Sequence, residues 1–345
     1  MRRIPKQVGT QARRGAERVI ADIRPHWLKP TSIHFSLTYR CNLNCRQCDI
    51  PLTGKKDRAE LTTEQVCTAL SQLKEWLGKF HVNFAGGEPF IRRDILDLVE
   101  FSSRNGISVN ITTNGLLIDE KKARRIERSG INSLNISLDG MRAETHDHMR
   151  NRRGSYKKTM EVVERLNRPR DYCLVIATIL NSQNMDEVLE MVDWVEANNL
   201  NGIIFQPLYS TFGRPFSPDW WRNNEFWPAT EEELERMDTV LDRLIKGKKR
   251  GSPVVNSIRQ LESMRWHFHH PQQANKRELP RCRVDTKNFA INEYGDALLC
   301  FWLDPIGNIL EDHPRNLWNN ALAQQRRKQI KQCRLNCSVL NCHFD

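Results

Sequence analysis

The chain has 345 residues, 39% of them hydrophobic, enough to bury one large core and a smaller appended one, and no apolar run approaches the length of a membrane span. Ten cysteines without a secretory apolar segment at the N-terminus exclude a disulfide-stapled secreted domain and point to a reducing cytoplasm. The formal charge of +11 invites an anionic partner, but no RNA-binding module accompanies it, so a metabolite or cofactor phosphate is expected rather than nucleic acid.

In chain order, residues 1–30 form a basic segment in which Gln11 to Arg24 reads as an amphipathic helix, with Ala16, Val19, Ile20 and Ile23 on one side. The apolar run 33–38 reads as a buried strand, and the loop leaving it carries Cys41, Cys45 and Cys48. Three thiolates at this spacing can converge on one metal centre, yet they are one ligand short of a closed zinc site or a fully protein-ligated iron–sulfur cube. A zinc knuckle with a borrowed fourth ligand stays open from spacing alone. A helix is predicted from Thr62 to Leu77, with Val66, Leu70, Leu73 and Leu77 on one face and Thr62 or Thr63 at its start. The next strand, 81–85, runs into Gly86-Gly87-Glu88-Pro89. Paired glycines allow a ligand close to the backbone, the carboxylate can hold an ammonium group, and proline stiffens the exit.

With both motifs in this order, the chain resembles the radical S-adenosylmethionine (SAM) superfamily. Gln47 departs from the aromatic residue usual before the third cysteine. The resemblance implies an α/β fold, an open partial (β/α)6 barrel, with a [4Fe–4S] cluster on Cys41, Cys45 and Cys48. The fourth iron would chelate the amino and carboxylate groups of SAM. One electron would then cleave SAM to a 5′-deoxyadenosyl radical that abstracts hydrogen from the substrate. Glu88 would accept from the SAM ammonium on the Gly86-Gly87 turn, with Pro89 beside it.

Further apolar runs at 107–112, 133–138, 173–180 and 202–206 alternate with amphipathic stretches, the pattern of a parallel α/β sheet. Thr113-Asn114 and Ser137 to Asp139 end two of these strands and resemble the family's contacts to the SAM ribose and carboxylate; Thr178 is a further cofactor contact, with Asn181 and Gln206 as lesser candidates. Asn114-Gly115 and Asp139-Gly140 can equally serve as turns. Arg150 reads as a solvated arginine that could reach a carboxylate. Cys67 and Cys173 read as buried structural thiols.

Beyond Pro207 lies an aromatic, proline-rich stretch from Tyr209 to Pro228, read either as a roof over the active site or as a bridge between domains. A helix is predicted from Thr230 to Lys246, stopped by Gly247, and Trp266 to His270 reads as a polar linker. Cys282, Cys300, Cys333, Cys337 and Cys342 follow, with Gly295-x4-Cys300 among them. This part resembles the SPASM/twitch extension of radical SAM enzymes. Five cysteines suffice for one auxiliary [4Fe–4S] cluster and not for two, and which of the last three is spare stays open.

The expected organisation is a basic N-terminal helix over 1–30, a radical SAM barrel over 31–229, a helical linker over 230–278 and an auxiliary cluster domain over 279–345. The main functional expectation is oxidation of a small polar metabolite, such as a sugar or cyclitol, with the auxiliary cluster accepting the second electron. The alternative is maturation of a ribosomally made peptide by crosslinking or epimerisation. About forty residues before Cys41 leave no space for the leader-binding domain of many peptide maturases, which favours the metabolite. A low-potential donor such as flavodoxin or ferredoxin is the expected partner. Asp285, Glu293 and Asp304 are the candidate acids and bases, none singled out.

Overall fold

The computed structural model describes residues 27–54, 57–210, 217–271 and 282–335, with Cys337 and Leu340. The basic helix expected over 11–24, the stretch 211–216 and Cys342 lie outside the described residues.

Six parallel strands form the frame: β1 (Ser32–Thr38), β2 (His81–Gly86), β3 (Ser108–Thr113), β4 (Ser133–Ser137), β5 (Cys173–Leu180) and β6 (Gly202–Pro207). They lie side by side in the order β6-β5-β4-β3-β2-β1, and the sheet does not close. Alternation sets the two faces. Ile33, Phe35, Val82, Phe84, Val109, Ile111, Leu134 and Ile136 are buried in the hydrophobic core. The intervening residues line the concave face, because successive side chains on a strand point to opposite sides.

A single turn, α1 (Ile50–Thr53), follows the cysteine loop, and longer helices cross between strands: α2 (Thr63–Leu77), α3 (Ile95–Arg104), α4 (Glu120–Arg128), α5 (Ala143–Arg150), α6 (Ser155–Leu166) and α7 (Val188–Ala197). The start predicted for α2 resolves to Thr62, whose side chain accepts from the Gln65 N–H while the Gln65 side chain accepts from the Thr62 N–H. Val66, Ala69, Leu70 and Leu73 then fall on the buried face, each large side chain contributing about 1.5–3 kcal/mol of hydrophobic stabilisation.

The helix expected to stop at Gly247 runs on as α8 (Glu231–Lys249), and Lys246, Lys248 and Lys249 in its last turn favour continuation by complementing the helix dipole. The expected polar linker is also helical: Trp266 to His269 close α9 (Ile258–His269), and His267 is fully buried with its Nε2 2.8 Å from the Leu208 carbonyl. Burial pushes the His267 pKa down to about 4, so the ring is neutral. Between these helices, Val254 bridges Ile203 in parallel, and the Asn256 amide bonds both the N–H and the carbonyl of Phe205. This segment therefore covers the open edge of β6. Cys173, expected to be buried, is exposed because it opens β5 ahead of the first covered residue, Leu174.

At the other edge the sheet continues. β7 (Asn288–Ile291) pairs in parallel with β1, and β8 (Asp296–Leu298) and β9 (Gly307–Asn308) follow antiparallel. Helices α10 (Val284–Lys287), α11 (Pro314–Asn319) and α12 (Ala321–Gln332) complete the C-terminal third. Buried Arg327 ties them together by donating to the Asp285 and Trp318 carbonyls.

Candidate active site and cysteine loops

The two motif loops are knitted to each other at the C-terminal end of the sheet. Gly87 N–H donates to the Thr38 carbonyl at 2.7 Å, and Glu88 N–H to the Arg40 carbonyl at 2.9 Å. A Cβ on Gly86 would fall 2.3 Å from the Thr38 oxygen, and one on Gly87 would fall 2.2 Å from the Arg40 oxygen. The sequence suggested that the glycines make room for a ligand. In the structure the backbone they admit is that of residues 38–40, so they set the height of the cysteine loop.

Glu88 is buried, and its carboxylate is the centre of a second knot. Oε1 accepts from the Phe90 N–H at 3.0 Å and the Thr113 hydroxyl at 2.6 Å, while Oε2 accepts from the Asn114 N–H at 2.8 Å. These oxygens tie the turn after β2 to the end of β3. Burial raises the Glu88 pKa, and these three donors oppose that shift. Asn114 in turn donates to the Asn42 side chain at 2.8 Å, which attaches the end of β3 to the cysteine loop.

Asp139, after β4, is fully buried and forms a 2.6 Å ion pair with Arg150. The arginine expected in solvent is an interior residue: only 11% of its side chain is exposed. Its Nη1 lies 3.9 Å from Cys45 Sγ. Burial opposes the charge, but Asp139 first, then Cys45, raises the guanidinium pKa well above its ordinary value. Gln47 Nε2 stands 3.5 Å from Asp139 Oδ2, so the residue in the usual aromatic position joins this group. Thr178 donates to the Leu138 carbonyl at 2.7 Å and is buried, which makes it a support of the Asp139 loop. Ser137 ends β4 on the concave side, level with Ala177.

The thiols share a local geometry that suits metal binding. Cys41, Cys300 and Cys333 each accept a backbone N–H from the residue two positions on, at 3.4, 3.5 and 3.5 Å. Cys48 and Cys282 take the same bond from Ile50 and Val284. Such donors stabilise sulfur as thiolate and tune iron–sulfur centres. Burial nevertheless pushes Cys41 up to about 11, with Glu88, Cys45 and Cys48 adding to it. A bound metal reverses that order by deprotonating its ligands.

In the C-terminal third, burial pushes Cys282 up to about 12 and Cys300 up to about 11, with Cys333 near both. Tyr209 is raised by burial and by Cys337, Cys333 and Cys300, so these three cysteines and the tyrosine occupy one neighbourhood, which Cys282 joins through Cys300 and Cys333. Among the described residues no three His, Cys, Asp or Glu side chains close around a single ion. All-cysteine donors are the chemistry that a [4Fe–4S] cube takes. Tyr209 also packs on Trp220, His267 and Trp302, so in its described part the aromatic stretch bridges the barrel and the C-terminal third.

Of the candidate acids, Asp304 is exposed and paired with Arg326, and Asp285 lies three residues from Cys282. Glu293 is buried, and burial pushes its carboxyl up to about 7 against the opposing effect of Tyr294, with Glu60 and Asp296 adding to the rise.

An open, mostly parallel α/β sheet carries three thiols and a polar strand-end network at one rim, an arrangement suited to holding a metal cluster beside a small cofactor. Residues 35–195 match the Radical SAM superfamily, so this part of the chain is a Radical SAM domain; the protein is an enzyme, and the family uses a [4Fe–4S] cluster and SAM. It is 25% identical over 325 residues to the AdoMet-dependent heme synthase of Methanosarcina barkeri, covering 90% of this chain and 88% of that one. It is 29% identical over 169 residues to the PqqA peptide cyclase of Rhizobium meliloti, covering 49% of this chain and 44% of that protein. Streptococcus suis SuiB bound to the precursor peptide SuiA matches in fold with a TM-score of 0.68 at 16% identity, over 99% of this chain and 77% of that one.

Proposed function

We propose that the protein is a peptide-modifying radical SAM enzyme of the auxiliary-cluster type, carrying out a net oxidation such as a crosslink. The observation that carries this reading is the chemistry of the concave face. Its strand positions are Ser32, His34, Ser36, Thr38, His81, Asn83, Ala85, Ser108, Asn110, Thr112, Ser133, Asn135, Ser137, Cys173, Val175, Ala177, Ile179, Gly202, Ile204 and Gln206. None is a carboxylate, lysine or arginine. Asn110 donates to Asn83 at 2.6 Å, and burial holds His34 down at about 4, hence neutral. A neutral face rich in amides and hydroxyls suits groups that hydrogen-bond without charge, such as peptide amides. The full-length similarity to a haem synthase favours a second reading, an iron-porphyrin substrate. Ionised carboxylates of a porphyrin have no cationic partner on these strands. A sugar or cyclitol matches the face chemically, but the named relatives with a stated organic substrate class support the peptide.

When bound, the radical cluster and SAM supply the hydrogen-abstracting radical. The chain's part is to hold and orient. Cys41, Cys45 and Cys48 hold the radical cluster; Gly86, Gly87, Glu88 and Pro89 fix the loop beside it; Thr113, Asn114, Ser137 and Asp139 present the strand ends to SAM, with Thr178 behind them. Cys282, Cys300, Cys333 and Cys337 hold one auxiliary cluster, leaving Cys342 spare. No helix among the described residues is long and apolar enough to cross a membrane. In this proposal the protein is cytoplasmic, with the barrel over 31–229 and the auxiliary cluster domain over 279–345.

The test is anaerobic turnover of a synthetic peptide library with SAM and dithionite, read by mass spectrometry. Loss of two hydrogens from a peptide, matched by 5′-deoxyadenosine, is the expected result. Oxidation of sugars or cyclitols with no peptide product would replace this reading with the metabolite one, and loss of carboxyl groups from an iron porphyrin would replace it with the haem-type one.

A further inference from the structure

A basic cluster beside the radical-cluster loop is not used by anything described above. The turn after α5 and the start of α6 carry Arg152, Arg153, Lys157 and Lys158, all exposed. Arg152 reaches across and donates to the Asn42 carbonyl at 3.2 Å, which places the turn directly against the loop of Cys41 and Cys45. Among the described residues none of these four cations forms an ion pair, whereas most exposed arginines nearby do, as Arg142 does with Glu187 and Arg46 with Glu225. Asp147, at the end of the preceding helix, is taken up by the Gly154 and Tyr156 N–H groups and the Ser155 hydroxyl, and Glu161, one turn on from Lys157 and Lys158, forms no ion pair with either among the described residues. Two lysines at the start of α6 also oppose the helix dipole, and the first turn holds no acidic residue to offset them. Four exposed cations without ion pairs among the described residues leave a positive face that an acidic surface would complement.

We infer that Arg152, Arg153, Lys157 and Lys158 form the docking face for a small acidic one-electron carrier protein, of flavin or iron–sulfur type. The inference rests on the radical SAM class and not on the identity of the substrate. An external electron must enter near Cys41, Cys45 and Cys48, because tunnelling falls steeply with distance, and the concave side of the loop belongs to SAM and substrate. The step balances simply: the reduced carrier gives up one electron, the radical cluster takes it, and no proton moves. Cationic rim residues of this kind raise association rates and impose salt dependence, and electron-transfer encounters are small and transient.

The probe is a purified bacterial flavodoxin. Its Kd for the cluster-loaded enzyme is measured by calorimetry at low and physiological salt, for wild type, the charge-reversed variant R153E/K157E/K158E and the neutral variant R153Q/K157Q/K158Q. Dithionite-driven 5′-deoxyadenosine formation is measured in parallel. The expected result is a Kd raised about tenfold by charge reversal and less by neutralisation, loss of most of the salt dependence, and dithionite-driven cleavage unchanged. An unchanged Kd in both variants overturns the inference. So does a parallel fall of dithionite-driven cleavage in the neutral variant, or tight binding of a single-stranded RNA to these residues with flavodoxin binding unaffected. Failure of wild type to cleave SAM with dithionite would instead overturn the class of activity, which separates the two questions.

Discussion

Arg150 and Asp139 form a buried ion pair 2.6 Å apart, and the same guanidinium lies 3.9 Å from Cys45 Sγ. One side chain thus links the strand-end network of β4 to the cysteine loop. Removing it leaves Asp139 as an unpaired interior charge, so Arg150→Ala should cost about 3 kcal/mol of stability. Loss of a cation beside the thiolates should also move the midpoint potential of the radical cluster to more negative values. Urea unfolding and a redox titration followed by electron paramagnetic resonance check both. The double variant Arg150→Met with Asp139→Asn should recover much of the stability and none of the potential.

Glu88→Gln tests the second knot. The carboxylate accepts three hydrogen bonds through two oxygens, and an amide has only one acceptor oxygen. At least one donor from Phe90, Thr113 or Asn114 then faces an NH2 group, at a cost of about 1–3 kcal/mol. SAM affinity should fall roughly tenfold while iron content stays near wild type. Equilibrium dialysis with labelled SAM on the reconstituted enzyme reads the difference.

The cysteine assignments give distinct iron counts. Wild type should hold about eight irons, and Cys282→Ala with Cys300→Ala about four, with SAM cleavage retained. Cys45→Ala should abolish 5′-deoxyadenosine formation. Cys342→Ser should keep the full count, whereas Cys337→Ser should lower it. Iron and sulfide analysis after anaerobic reconstitution distinguishes these outcomes.

Glu293 gives a pH signature. Burial pushes its carboxyl from the usual 4.5 up to about 7 in the folded protein. The native state therefore holds a proton that the unfolded chain has released, and its contribution to stability declines as pH rises from about 4.5 and is fully lost above about 7. Glu293→Gln should be more stable than wild type at pH 8 by about 1–2 kcal/mol and nearly equal to it at pH 4. Urea unfolding at the two pH values is the check.

What the sequence conveyed well was periodic or local. The six strands read from apolar runs match the observed elements to within a residue or two, because burial on the helix side demands continuous apolar or alternating patterns. The cysteine loop and the Gly-Gly-Glu-Pro turn were legible because each is contiguous. Arg150 was not, since its partner Asp139 and its neighbour Cys45 come from other loops, and nothing in Met149-Arg150-Asn151 distinguishes an interior arginine from a surface one. His267 misled for a related reason: a His-rich run reads as polar, yet helical periodicity turns one of its imidazoles inward, where it meets the Leu208 carbonyl. Gly86 and Gly87 were read as room for a ligand, whereas the group lying against them in the fold is the backbone of Thr38 and Arg40, which composition cannot reveal. The asparagines of the concave face were each visible, but their common orientation depended on strand register.

The pairing of β7 with β1 has a consequence for how the molecule can be dissected. Without the C-terminal third, the strand that leads into the cysteine loop would present a bare row of N–H and carbonyl groups to solvent. Such a flank invites strand addition from a neighbouring molecule, so a barrel cut out on its own should self-associate before it can be studied. Cys41 and Cys300 each follow a strand of one hydrogen-bonded sheet, so the span between these two thiols is fixed by backbone rather than by a hinge.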